Sequence, residues 1–215
     1  MAVTPQQATR KLRDLCALAP VIPVLVVRDA AHARPLAEAL IAGGLSVLEV
    51  TLRTPAALDA IAEMARVKGA IVGAGTLIAP SDVAAAAAAG ARFGVSPGAT
   101  DSLLAAAEAE GMPLLPGAAT ASEAMHLLER GYDMQKFFPA EAAGGVAALG
   151  AIAGPLPQIG FCPTGGIGPD NAADYLSLPT VPCVGGSWVA PSALIDAGDW
   201  GAIEALARAA AVMRC

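Results

Sequence analysis

Lys136 stands in the stretch Tyr132-Asp-Met-Gln-Lys-Phe-Phe-Pro-Ala-Glu141 and is one of three lysines in the chain, with Lys11 and Lys68. An ammonium set against two aromatic rings and a proline loses hydration, and burial favours the neutral amine, which can attack a carbonyl carbon. The alternative is a lysine whose stem runs past Phe137 or Phe138 to water. Glu49 poses a similar choice. A carboxylate between Leu48 and Val50, in an otherwise apolar run, is costly to bury unless it is paired. It serves either as a general acid–base or as the structural partner of Arg53. Arg53 in turn could grip a substrate carboxylate with its planar, two-pronged donor set, or stand in solvent at the start of a helix. Thr164-Gly-Gly-Ile-Gly-Pro-Asp170 and Gly185-Gly-Ser-Trp188 add two glycine loops, where backbone N–H groups can come close to a phosphate. Either loop alone also suits a tight strand-to-helix turn. Two of them, after consecutive strands, point to an anion.

A repeat has to bring these residues together. Val21-Ile-Pro-Val-Leu-Val-Val27 is nearly all apolar, the pattern of a strand covered on both faces of a parallel sheet. A helix is predicted from about Ala30 to Ala42, with Gly43-Gly44 as its stop. The unit recurs with a strand at Ser46–Thr51 and a helix from Thr54 to Val67, where Thr54 is the N-cap and Pro55 the first helical position. Further strands are predicted at Ala70–Gly73, Ala91–Val95, Met112–Leu115, Asp133–Phe138, Gln158–Cys162 and Val181–Val184. Between them lie helices such as Ser81–Ala89, Asp101–Glu110, Ala121–Arg130 and Asn171–Leu176. An amphipathic helix, Pro5–Leu18, with Leu12, Leu15, Cys16 and Leu18 toward the core, precedes the repeat. Eight strand-then-helix units predict an α/β fold, a closed (β/α)8 TIM barrel forming a single domain over residues 1–215; an open doubly wound sheet is the alternative. In such a barrel chemistry gathers at the C-terminal strand ends. Glu49, Thr51, Arg53, Thr76, Ser96, Pro97, Lys136 and the two glycine loops would then share one rim.

Composition excludes several function classes. The chain is 55% hydrophobic and 15% charged, but Pro, Gly or a charged residue breaks every apolar run before the roughly 18 residues of a spanning helix, so no membrane partner is expected. A net charge of −6 with no basic cluster argues against nucleic acid and leaves a small anionic ligand possible. Gly73-Ala-Gly-Thr-Leu-Ile78 lacks the third glycine of a dinucleotide fingerprint. No metal is expected, since His32 and His126 lie on predicted helices away from the strand ends and no acid–histidine pair has ligand spacing. The four cysteines show no CxxC spacing, and Cys162 and Cys183 read as small buried thiols. The N-terminal Met-Ala-Val-Thr-Pro-Gln-Gln has no charged region leading into an apolar core, which sets the expectation of a cytoplasmic protein.

Six segments in order carry a family resemblance: Leu48-Glu-Val-Thr-Leu-Arg-Thr54, Val72-Gly-Ala-Gly-Thr76, Ser96-Pro-Gly98, Lys136-Phe-Phe-Pro-Ala-Glu141, Phe161-Cys-Pro-Thr-Gly-Gly-Ile167 and Gly185-Gly-Ser-Trp188. Together they resemble the 2-keto-3-deoxy-6-phosphogluconate (KDPG) aldolases and 4-hydroxy-2-oxoglutarate (KHG) aldolases, over a stretch from about Leu15 to Ala209. The resemblance implies a class I aldolase of the Entner–Doudoroff pathway that works without metal or other cofactor. It implies Lys136 as the imine-forming residue and Glu49 as the proton carrier. Arg53 and Thr76 would hold the pyruvate carboxylate, Thr164 would lie beside the substrate, and Pro97 and Phe138 would shape the pocket. Gly165, Gly166, Gly186 and Ser187 would receive the phosphate of the aldehyde half. A homotrimer is also implied. Gln135 stands where relatives commonly have an aromatic residue, so one wall around Lys136 is expected to be less apolar. The 4-epimeric phosphogalactonate substrate, an isomerase or epimerase on the same barrel, and a phosphate-binding barrel without catalysis remain as alternatives.

Overall fold

The computed structural model describes residues 2–213. It opens with helix α1 (Pro5–Cys16), whose first turn is closed by a capping box between Thr4 and Gln7. Strand-then-helix units follow: β1 (Val21–Leu25), a 3-10 turn (Ala30–His32) with α2 (Ala33–Ala42), β2 (Val47–Thr51), α3 (Ala57–Met64), β3 (Ile71–Gly75), α4 (Pro80–Ala88), β4 (Phe93–Val95) and α5 (Asp101–Glu110). Two very short strands, β5 (Leu114–Leu115) and β6 (Gly117–Ala118), precede α6 (Ala121–Arg130). The chain ends with β7 (Met134–Phe137), α7 (Gly145–Ala153), β8 (Gly160–Pro163), α8 (Ala172–Leu176), β9 (Val184–Gly186), α9 (Ser192–Ala197) and α10 (Trp200–Ala211).

Every strand pairing is parallel. The ladders form a six-stranded sheet in the order β5-β4-β3-β2-β1-β9 and a three-stranded sheet in the order β6-β7-β8. The expectation of eight strands in one closed ladder is corrected accordingly: the described residues form nine strand segments in two parallel sheets. Pro116 is the cause at one junction. Having no N–H, it cannot donate to a ladder, and it separates β5 from β6. Its carbonyl still accepts from Lys136 N at 2.8 Å. At the other junction Thr164 and Gly185 form an isolated parallel bridge.

Local chemistry also moves some predicted ends. Thr54 does not cap α3, which begins at Ala57, because the Thr54 hydroxyl donates to the Val27 carbonyl. The segment expected to be one helix from Ala30 splits at His32, with Asp29 capping the 3-10 turn through the Ala31 N–H. Cys215 lies outside the described residues.

The strands divide the core in two. Leu48, Val50 and Phe137 point into the larger apolar layer beneath the helices. Val47, Phe93, Met134, Cys162 and Cys183 point the other way, into a separate cluster that Leu12 and Cys16 of α1 close from below. Side chains alternate along a strand, so the residue two beyond Val47 and the residue two beyond Met134 share that inner face, one step nearer the C-terminal ends. Those residues are Glu49 and Lys136.

Candidate active site

Lys136 Nζ lies 3.4 Å from Glu49 Oε1, and the two side chains are only 6% and 4% exposed. An ion pair taken out of water this far is weak evidence for stability and stronger evidence for a task. Glu49 pairs with Lys136 rather than with Arg53, so the structural-partner alternative is not formed. The Phe138 ring centroid is 5.3 Å from the ammonium nitrogen, which gives the cation an aromatic face. Beside Lys136 in register stand Gly117 on one side and Cys162 on the other. Gln135, by contrast, faces the helices. It is fully buried and its amide donates to the carbonyls of Ala124 and Tyr132, so it forms no wall of the lysine site.

The expected residues fall into three groups. Arg53 Nε donates to Thr76 Oγ1 at 3.2 Å, which ties the ends of β2 and β3 together and leaves the other guanidinium N–H groups without a partner among the described residues. Thr76 has φ of 64°, a left-handed conformation that is strained for a β-branched residue. A cavity of about 190 Å³ opens at this rim, lined by Arg53, Phe138, Thr164, Gly165, Gly166 and Ser187 among others. The Thr164 hydroxyl is buried there without a partner, and such a group calls for a polar ligand atom. Gly186 and Pro97 sit off the cavity wall. The Cα of Gly186 packs against the Trp188 ring, and the Pro97 carbonyl packs against Gly117.

Gly75 was missed as a site residue. A Cβ there would come within 2.2 Å of Glu49 Oε1, so the missing side chain is the space that Glu49 occupies. Its signal was the alternation of Gly73 and Gly75, which leaves one face of β3 bare. The histidines stay out of the site: His32 packs edge-on against Trp200, and His126 faces Asp101. Cys16, Cys162 and Cys183 are buried free thiols, and Cys183 is pushed well above the usual thiol range by hydrogen bonds with Cys16 and Cys162 and by burial.

Residues 12–206 match the family described as KDPG and KHG aldolase. The chain belongs to that family. A 2-dehydro-3-deoxy-phosphogluconate aldolase of Pseudoalteromonas atlantica is 55% identical over 199 residues, covering 92% of this chain and 93% of the relative. The crystal structure of the Zymomonas mobilis KDPG aldolase with 3-phosphoglycerate superposes with a TM-score of 0.91 at 50% identity, covering 96% of this chain and 97% of that one. A third comparison is the Legionella pneumophila KDPG aldolase, with pyruvate captured at low pH as a covalent carbinolamine. It has a TM-score of 0.90 at 47% identity and covers 97% of this chain and 98% of that one. As a member of the aldolase family the chain is a carbon–carbon lyase, and the isomerase, epimerase and non-catalytic readings fall away. No helix among the described residues is long and apolar enough to cross a membrane.

Proposed function

We propose that this aldolase cleaves KDPG reversibly to pyruvate and glyceraldehyde 3-phosphate through an imine on Lys136. The observation that carries the reading is the buried Lys136–Glu49 pair at 3.4 Å, next to a cavity with an arginine at its rim and two glycine loops in its wall. Passing the lysine proton to Glu49 leaves a neutral amine beside a carboxylic acid. The amine adds to the substrate ketone, and the acid returns its proton as water leaves, giving a protonated imine and a carboxylate again. Glu49 then takes the proton of the C4 hydroxyl. The C3–C4 bond breaks, its electron pair moves into the imine to form an enamine, and the aldehyde departs. Protonation of the enamine carbon by Glu49 and hydrolysis release pyruvate and restore Lys136. Arg53 and the hydroxyl proton of Thr76 bind the pyruvate carboxylate, with Phe138 shaping the pocket and Pro97 behind its wall against Gly117. Thr164, Gly165, Gly166 and Ser187 serve the aldehyde half, and Gly186 supports Ser187 from behind the wall, against Trp188. The paired glycine loops favour a phosphorylated aldehyde over KHG.

Borohydride added with pyruvate should inactivate the enzyme and leave a reduced adduct on Lys136, located by peptide mass mapping. Retained activity, or an adduct only on Lys11 or Lys68, would overturn the assignment.

The same reading includes three wider features. The two sheets are taken as one (β/α)8 barrel, supported by the Thr164–Gly185 bridge and by the Lys136 bond to Pro116. The resemblance alone carries a homotrimer; sedimentation would then give about three times 21.3 kDa. A cytoplasmic location is the third, in keeping with a phosphorylated substrate, whose charge keeps it from crossing a membrane unaided.

A further inference from the structure

After β8 the chain runs through Thr164, Gly165, Gly166 and Ile167, and three consecutive carbonyls there are held from the protein side. Thr164 O accepts from Ala140 N at 2.9 Å, Gly165 O from Glu141 N at 3.0 Å, and Gly166 O from the Asn171 amide at 3.2 Å. In a trans peptide the N–H points opposite to the carbonyl of the same plane. Fixing these three carbonyls therefore fixes the N–H groups of Gly165, Gly166 and Ile167. The Gly165 N–H is turned toward the Gly185 carbonyl across the Thr164–Gly185 bridge, whereas those of Gly166 and Ile167 have no protein acceptor among the described residues, and all three residues line the cavity. Gly165 and Gly166, at φ of 104° and 78°, take the left-handed conformations this path requires.

The holders trace back to α8. Asn171 precedes that helix but does not cap it; its side chain instead bonds the loop at two points, accepting from Gly168 N at 2.8 Å and donating to Gly166 O. One turn later, on the same helix face, the fully buried Tyr175 donates its hydroxyl to Glu141 Oε1. Glu141 is also wedged against the loop, since a Cβ on Gly166 would fall 2.7 Å from its Cβ and Cγ. Its carboxylate is thereby aimed at α8, and Glu141 is absent from the cavity wall.

We infer that Asn171, and Tyr175 acting through Glu141, are positioning residues that hold the Gly166 and Ile167 N–H groups toward the phosphate and so set the preference for a phosphorylated aldehyde. This rests on the aldolase reading above. The test compares Asn171→Ala, Tyr175→Phe and Glu141→Gln with the wild type on KDPG and on KHG, which has no phosphate. A separate calorimetric titration uses inorganic phosphate. The first two variants should raise KM for KDPG about tenfold with little change in kcat, and leave kcat/KM for KHG within about twofold. Glu141→Gln should restore near wild-type values, because its amide oxygen still accepts from Tyr175. Parallel losses on both substrates, or unchanged KM for KDPG in Asn171→Ala and Tyr175→Phe, would overturn the proposal. Were the wild type to cleave neither substrate, the aldolase reading would fall. The phosphate titration would then still decide the tether: weaker binding by the two variants supports it, and equal or absent binding overturns it.

Discussion

At the scale of single residues, the site depends on a side chain that is missing as much as on those present. Glu49 is 3% exposed, and the volume beside its carboxylate on β3 is free only because residue 75 is glycine. In Gly75→Ala a Cβ would lie 2.2 Å from Oε1 and 2.8 Å from Cδ, so Glu49 must swing away from Lys136 or β3 must shift. The overpacking costs about 1–3 kcal/mol, which a core of this size absorbs. The loss of proton transfer should lower kcat about 100-fold or more, the scale of a displaced general acid–base. Steady-state kinetics beside a melting curve checks both halves; a kcat within about twofold of wild type would remove Glu49 from the chemistry. Lys136 and Glu49 were legible in the sequence because a charge inside an apolar run is conspicuous. Gly75 was not, since its meaning depends on which side chain the neighbouring strand sends toward it. The outward face of Gln135 was open to the same period-of-two rule, and the expectation of a wall residue overlooked it.

At the scale of elements, legibility follows the caps. The predicted bounds of α5 and α6 are those observed, because Thr100 and Thr120 close their first turns and Gly111 and Gly131, both left-handed, end them. Thr54 carried the same signal and misled, its hydroxyl being committed to a carbonyl 27 residues earlier in the chain. Long-range contacts of that kind leave no local trace. The α6 cap yields a pH prediction. Glu123 is held below the ordinary carboxylate value of 4.5, first by the Ala119 N–H and then by the Thr120 hydroxyl and N–H, against the opposing effect of burial. A lowered folded value means the stabilisation is fully present above the unfolded value and is lost as pH falls through the folded one. Glu123→Gln should therefore cost about 0.5 kcal/mol at neutral pH, in keeping with a charge at a helix N-terminus. Melting temperatures of variant and wild type should converge on acidification below about pH 4.5. A gap that widens on acidification would contradict the role given to the carboxylate.

At the scale of the whole molecule, the repeat of strand and helix was readable from apolar runs and glycine stops, whereas the way the strands join was not. Whether a ladder continues across Pro116, or across the Thr164–Gly185 bridge, depends on small register and twist differences summed over the strands before it. The role of α1 was likewise hidden. Its periodicity announced an amphipathic helix with Leu12, Leu15, Cys16 and Leu18 inward. Leu18 lies past the helix end at Cys16 and is 53% exposed, and the pattern did not show that Leu12 and Cys16 close the inner cluster two residues below Lys136 and Glu49. Arg13 fixes the helix there, donating to Asp133 Oδ1 at 3.0 Å, to the Asp133 carbonyl at 2.8 Å and to the Gln158 carbonyl at 3.0 Å, at the entrances to β7 and β8. Leu12 is 1% exposed and packs in the same cluster as Phe93 and Met134. Leu12→Ala removes that packing and leaves a cavity under the site, so it should cost about 2–5 kcal/mol. Urea unfolding at one fixed protein concentration measures it, because assembly would make the midpoint depend on concentration. The Lys136–Glu49 pair stands one layer higher on strands whose ladders are untouched, and kcat under native conditions should stay within about twofold of wild type. A stability loss below about 1 kcal/mol would show that α1 lies on the molecule without closing it. A large fall in kcat at full stability would mean instead that the floor positions Lys136 directly, through Met134 on the same strand face.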